Sequence, residues 1–125
     1  MLGVVEIKIE LMIKIYHNPR CSKSREGLGL LEEQGAEVEV IHYLKTPPTQ
    51  EELMEIIRKL DIQPLDLIRK NEKIFKEKYR GKTLSDNDWI AAMVANPILI
   101  ERPIVFNETK AIIGRPPSLV LTILN

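Results

Sequence analysis

The stretch Tyr16-His17-Asn18-Pro19-Arg20-Cys21-Ser22-Lys23-Ser24-Arg25 constrains the fold more than any other part of the chain. An alternating run, Ile13-Lys14-Ile15-Tyr16, leads into it. A run with helical spacing, carried by Leu28 and Leu31, leaves it. Pro19 biases Asn18 away from helical geometry, so the strand exits through a tight turn. The only cysteine is thereby expected at the first turn of a helix. Unpaired N–H groups and the positive end of the helix dipole lie there, and both favour thiolate over thiol. Arg20, Lys23 and Arg25 add positive charge. A thiol so placed reads as a nucleophile directed at an anion.

The 125 residues suffice for one domain with a real core. Lys and Arg together equal Asp and Glu at 18 each. No global field therefore favours nucleic acid or an anionic membrane, and anion affinity must come from local clustering. No apolar run reaches membrane-spanning length. Glu6 and Glu10 interrupt the first apolar stretch, so no signal peptide is expected. One cysteine makes no internal disulfide, and a cytoplasmic location is the default expectation. If Cys21 is oxidised or derivatised in a cycle, an external thiol must resolve it. Cys21, His17 and His42 lack the spacing of a zinc site, and no metal is expected.

Along the chain, residues 5–15 alternate in a two-residue period, with Met12 the exception, and read as a strand. The run exceeds a typical strand. Three readings stay open: an extended first strand, a separate strand in residues 1–11, or a chain proper that begins at Met12. Residues 22–34 read as a helix stopped by Gly35, with Ser24 on the face of Cys21. Val38, Val40, Ile41 and Tyr43 read as a second strand. Thr49 and Glu52 form a capping box before a helix faced by Leu53, Ile56, Ile57 and Leu60. Short helical pieces follow over residues 64–70 and 71–78. Another helix is capped by Ser85, with Trp89 in its buried face. Residues 104–113 read as a hairpin, and residues 119–124 as a closing helix capped near Pro117 or Ser118, with a strand as the alternative.

The order is β-α-β, a helical stretch, then β-β-α. That order resembles a thioredoxin-like α/β layout: a mixed sheet with a helical insertion, at about residues 49–96, between the second and third core strands. The chain is read as a single domain over residues 1–125, with residues 1–11 as an N-terminal strand extension. In such a layout a proline opens the third strand opposite the thiol. Pro103 holds that position, which predicts a cis peptide at Arg102-Pro103 against a background of roughly 5% of X-Pro bonds.

More specific blocks carry a closer resemblance. They are residues 17–25, Tyr43-Leu44-Lys45-Thr46-Pro47-Pro48, Leu67-Ile68-Arg69-Lys70-Asn71, residues 96–105 around Arg102-Pro103, and Gly114-Arg115-Pro116. In this order they resemble the glutaredoxin-coupled arsenate reductases over nearly the whole chain beyond residue 11. The resemblance implies that Cys21 is the catalytic nucleophile and that Arg69, Arg102 and Arg115 bind the oxyanion. It implies a supporting role for His17, which helps keep the thiol ionised, and Ser24, on the same helix face as Cys21, is expected to donate its hydroxyl to the thiolate. Arsenate or a similar oxyanion is then the substrate, glutathione the co-substrate and glutaredoxin or an equivalent the reductant. No bound cofactor, nucleic acid or membrane partner is implied, and a monomer is expected.

Each of these residues also has a plainer reading. A lone cysteine is usually a small buried hydrophobe. His17 can be a strand-end residue, His42 a structural one, and Arg69 an ordinary surface cation. The loop departs from the family in carrying Arg20 and Ser22-Lys23, where smaller residues are usual. Ser24 stands where the related regulators that bind RNA polymerase carry a second cysteine. Two competing functions follow: such a non-enzymatic regulator, or a monothiol disulfide oxidoreductase.

Overall fold

The computed structural model describes residues 12–125. The readings made for residues 1–11 lie outside that range. Two compact units emerge among these residues, the first made of residues 12–43 with Arg102–Asn125 and the second of Leu44–Glu101.

The first unit holds a four-stranded mixed sheet in the order β2-β1-β3-β4. Strand β1 (Ile13–Tyr16) leads through the cysteine loop to helix α1 (Ser22–Glu33), and then to β2 (Val38–Ile41). β1 and β2 run parallel, with Ile13 opposite Val38 and Tyr16 opposite Ile41. β3 (Ile104–Phe106) lies antiparallel on the other side of β1, and β4 (Ala111–Ile113) antiparallel to β3. The chain ends in a 3-10 helix, Pro117–Leu124, that packs on α1. Ile13, Ile15, Leu31, Val105, Val120 and Ile123 form the core of this unit. Alternation in β1 supplies Ile13 and Ile15 to that core, as a half-buried strand requires. The arrangement is thioredoxin-like.

Three expectations change in detail. β2 ends at Ile41, and Tyr43 lies beyond it, fully buried against the ring of Tyr16. The closing helix is 3-10 rather than α, because its buried residues, Pro117, Val120 and Ile123, recur every three positions. The cis peptide at Arg102-Pro103 is present, and a second occurs at Arg115-Pro116, which the sequence reading did not anticipate.

The second unit is helical. Its helices are α2 (Gln50–Leu60), α3 (Lys73–Lys78) and α4 (Asp86–Ala95), with short 3-10 turns at Pro64–Leu67 and Pro97–Leu99. The Thr49–Glu52 capping box is formed in full, and the Ser85 hydroxyl accepts from the Asp88 N–H. The piece expected over residues 64–70 is the 3-10 turn, which ends where Ile68 becomes extended and bridges Ile100. Trp89 is buried and meets the rings of Phe75 and Tyr79, so it belongs to the core. Among the described residues no helix is long and apolar enough to cross a membrane.

Candidate active site

The loop after β1 is built by its own backbone. The His17 N–H donates to the Ile41 carbonyl at 3.0 Å, which extends the β1–β2 pairing by one residue. Asn18 then turns the chain. Its side-chain oxygen accepts from the Arg20 N–H at 3.0 Å, and its carbonyl accepts from the Cys21 N–H at 3.0 Å. Such an Asx turn is what asparagine before proline supplies. Cys21 has extended backbone geometry, and its carbonyl accepts from the Arg25 N–H. It is therefore the N-cap of α1, one position before the first turn in which the sequence reading placed it.

At an N-cap, a side-chain acceptor normally meets the N–H of the second or third helical residue. Those residues here are Lys23 and Ser24. The Cys21 sulfur makes no full cap hydrogen bond, but both N–H groups bear on it. Burial pushes the thiol up. The Ser24 N–H, the Arg102 guanidinium and the Lys23 N–H together outweigh it, and the thiol is held below its ordinary value. Desolvation disfavours the anion, while donors and a cation favour it, and here the second group of effects wins. Cys21 is half-buried and is the only cysteine.

Two arginines converge on this sulfur from the far end of the chain. Arg102 is buried and precedes the cis Pro103 at the start of β3. Arg115 follows β4, and its Nη2 donates to Cys21 Sγ at 3.5 Å. The Arg115 Nε donates to the Arg102 carbonyl at 2.9 Å, so the backbone carrying one arginine aims the other. Arg115 thus contributes a direct contact, and Arg102 a cation that lowers the thiol pKa. Pro103 is fully buried, and its carbonyl accepts from the Gly114 N–H at 2.9 Å.

Gly114 enters the sequence reading only as part of the Gly114-Arg115-Pro116 block. A Cβ there would lie 2.7 Å from both Pro103 Cγ and Val120 Cγ1, closer than carbon atoms approach. Only glycine lets β4 pass Pro103 at this distance and deliver Arg115. The tripeptide Gly114-Arg115-Pro116 was the available signal. Asn18 is also buried and was read only as a turn former.

His17 and Ser24 sit differently from the expectation. The His17 Nδ1 and the Ser24 Oγ are 2.7 Å apart, and Oγ also accepts from the Asn18 N–H at 3.0 Å. The tautomer of His17 sets which of the two donates across this contact. Burial, followed by repulsion from His42 and Arg25, lowers the His17 pKa against a smaller opposing effect of Glu32. The shift favours the neutral imidazole over the cation. Ser24 serves the sulfur with its backbone N–H, while its hydroxyl ties the loop to His17.

Arg69 belongs to the helical unit. Its Nε donates to Glu72 at 3.1 Å and its Nη1 to Glu101 at 2.6 Å. Its N–H donates to the Leu99 carbonyl, and the Glu101 N–H to the Leu67 carbonyl, on either side of the Ile68–Ile100 bridge. Burial lowers its pKa, the two carboxylates more than restore it, and the net shift is upward. The sequence reading treated Arg69 as an anion ligand; in the structure its charge is shared with two carboxylates.

The matches to known proteins follow this geometry. The profile of the ArsC family covers residues 16–123, from the end of β1 through nearly all of the closing 3-10 helix. The chain belongs to the ArsC family. Among its ArsC relatives, the uncharacterized protein YfgD of Escherichia coli strain K12 is 49% identical over 114 residues, covering 90% of this chain and 96% of the relative. The arsenate reductase of Neisseria meningitidis serogroup A is 44% identical over 114 residues, covering 90% and 97%. The solved structure of an arsenate reductase from Vibrio cholerae superposes with a TM-score of 0.86 at 47% identity, covering 90% of this chain and 97% of that one. The ArsC assignment therefore spans both units of the chain.

Proposed function

We propose that the protein is an oxidoreductase that reduces arsenate to arsenite, with Cys21 as the nucleophile. One observation carries this reading: an N-cap thiol held below its ordinary pKa, with Arg115 in contact at 3.5 Å and Arg102 beside it. Relatives that carry the name arsenate reductase support it at 44% identity.

Attack of a thiolate on arsenate brings two anions together. Guanidinium groups answer this by neutralising the oxygens and holding them through paired N–H donors. Arg102 and Arg115 are fixed before substrate arrives, so their stabilisation of the charge that builds on the oxygens needs no reorganisation. The N-terminus of α1 adds backbone donors of the same sign. Arg69 is the third proposed oxyanion ligand. In the first step a sulfur–arsenic bond forms, an arsenic–oxygen bond breaks, and hydroxide leaves, taking up a proton as water.

Glutathione thiolate then attacks the Cys21 sulfur. A sulfur–sulfur bond forms, and the sulfur–arsenic bond breaks with its electron pair left on arsenic. Arsenic gains two electrons and departs as arsenite, while the two thiols lose two electrons in a mixed disulfide. Glutaredoxin or an equivalent thiol reduces that disulfide and restores Cys21. The scheme runs through sulfur and arsenic and needs neither a resident cofactor nor a second copy of the chain. It requires a compartment that keeps thiols reduced, which fits the cytoplasm.

The test is arsenite production from arsenate, with glutathione and glutaredoxin supplied. Wild type is expected to turn over, and Cys21→Ser is not. Equal rates for the two would sink the reading. A monothiol disulfide reductase has less use for two cations at its sulfur, and faster turnover of a glutathionylated peptide than of arsenate would favour that function instead.

A further inference from the structure

We propose that Arg20 and Lys23 form the docking site for the carboxylates of a small anionic thiol, of the glutathione class, that attacks at Cys21. This rests on the reading of Cys21 as a redox nucleophile. The cations around Cys21 fall into two sets that differ in burial. Arg102 is buried and Arg115 half-buried, and both address the sulfur. Arg20 and Lys23 are exposed, on either side of the half-buried Cys21 in the chain.

Neither exposed side chain is needed to build the loop. The Arg20 contribution to the turn is its N–H, donated to Asn18, and the Lys23 contribution to the thiol is its N–H. Neither forms an ion pair among the described residues. Arg25, by contrast, is tied to the Pro19 carbonyl at 2.9 Å. Two cations within two residues of Cys21 in the chain are thus presented to solvent, while the inner pair serves the oxyanion.

The chemistry supplies a task for them. When the second thiol attacks, Cys21 already carries an anionic group, and Arg102 and Arg115 are engaged by it. Glutathione carries two carboxylates against a single ammonium, and it reacts as a thiolate. Its approach is opposed by the charge of the adduct. Cations at the rim raise its local concentration and hold it without competing for the oxyanion, and such rim charges act mainly on association. The docking adds no covalent step. The thiolate still attacks the Cys21 sulfur, a disulfide forms, and the departing group leaves with its electron pair.

The experiment uses the full chain with Cys21 as a disulfide to 4-thiopyridine, an uncharged group, and no arsenate. Attack by a thiolate on the Cys21 sulfur releases 4-thiopyridone, followed by its absorbance. Glutathione, neutral 2-mercaptoethanol and cationic cysteamine are compared per unit thiolate, with a small unfolded disulfide peptide as reference. Relative to that reference, wild type is expected to favour glutathione over 2-mercaptoethanol by about two- to tenfold at low ionic strength. The preference should fade at high salt, where the Debye length falls from about 30 Å at 0.01 M to about 3 Å at 1 M. The double variant Arg20→Ala/Lys23→Ala should lose it, and Arg20→Glu/Lys23→Glu should favour cysteamine. The 2-mercaptoethanol rate reports whether each variant still folds around a reactive sulfur. A selectivity unchanged by both double variants, with that rate intact, overturns the docking site. Thiol selectivity without arsenate turnover would overturn the arsenate reading and leave the docking site standing.

Discussion

Cys21 takes the place that serine or aspartate holds at an ordinary helix N-cap, and this substitution defines the chemistry. A capping hydroxyl satisfies the helix, whereas a capping thiol is itself changed by it. The Ser24 and Lys23 N–H groups and the Arg102 cation together outweigh burial, and the thiol pKa falls. The sign of the consequence is fixed. A depressed thiol pKa means more thiolate at neutral pH, and removing a cation must raise it. For Arg102→Ala the pH midpoint of iodoacetamide alkylation should move upward, slowing the reaction at pH 7. A midpoint that stays put would mean that the Arg102 cation does not set the thiol. Cys21, Arg102 and Arg115 were legible in the sequence because each sits in a short motif. The arrangement that aims them was not. The bond from Arg115 to the Arg102 carbonyl depends on how β3 pairs with β4, and no local pattern encodes it. The contact of the Ser24 hydroxyl with His17 was illegible for the same reason: the turn between them sets it.

The elements that carry these residues are held by close passages at glycine and proline. Gly27 on α1 and Gly114 after β4 both face Pro103 and Val120. A Cβ at Gly27 would lie 3.2 Å from each, and at Gly114 2.7 Å from each. Gly114→Ala forces Pro103 or the closing 3-10 helix to move, and overpacking of this kind costs about 1–3 kcal/mol. Gly29 is the contrast. It lies within α1, a Cβ there meets nothing within 4 Å, and Ala has the better helix propensity. Gly29→Ala should therefore stabilise by about 0.5–1 kcal/mol. Denaturant melts of the two variants check both signs, and equal effects would contradict the crowding at Gly114. Period and capping made β1, α2 and α4 readable, since their signals are local. The 3-10 geometry was harder to read. A buried residue at every third position is close to the helical spacing of three and four, and burial itself decides between them.

At the scale of the whole molecule, the residues proposed for chemistry divide between the two units. Cys21, His17, Ser24, Arg102, Pro103 and Arg115 belong to the sheet unit, and Arg69 to Leu44–Glu101. The sequence suggested a helical insertion near residues 49–96; by contacts the helical unit begins sooner and ends later, because Leu67 and Arg69 pair with Glu101 and Leu99. Its last residue, Glu101, directly precedes Arg102 in the chain. Arg69 therefore has two possible tasks, to hold the end of its own unit through Glu101 and Glu72 or to bind the oxyanion, and they respond differently to substitution. Loss of partly exposed ion pairs costs about 1 kcal/mol of stability, which is expected for Arg69→Ala in either case. An oxyanion ligand must also appear in substrate binding. We expect Arg69→Ala to raise the KM for arsenate about tenfold or more, with kcat changed far less, at a temperature where the variant remains folded. Arg69→Lys keeps the charge but loses the planar fork that spans Glu72 and Glu101, and should fall between wild type and Arg69→Ala. An unchanged KM beside a lowered melting temperature would confine Arg69 to its carboxylates and leave the oxyanion to Arg102 and Arg115.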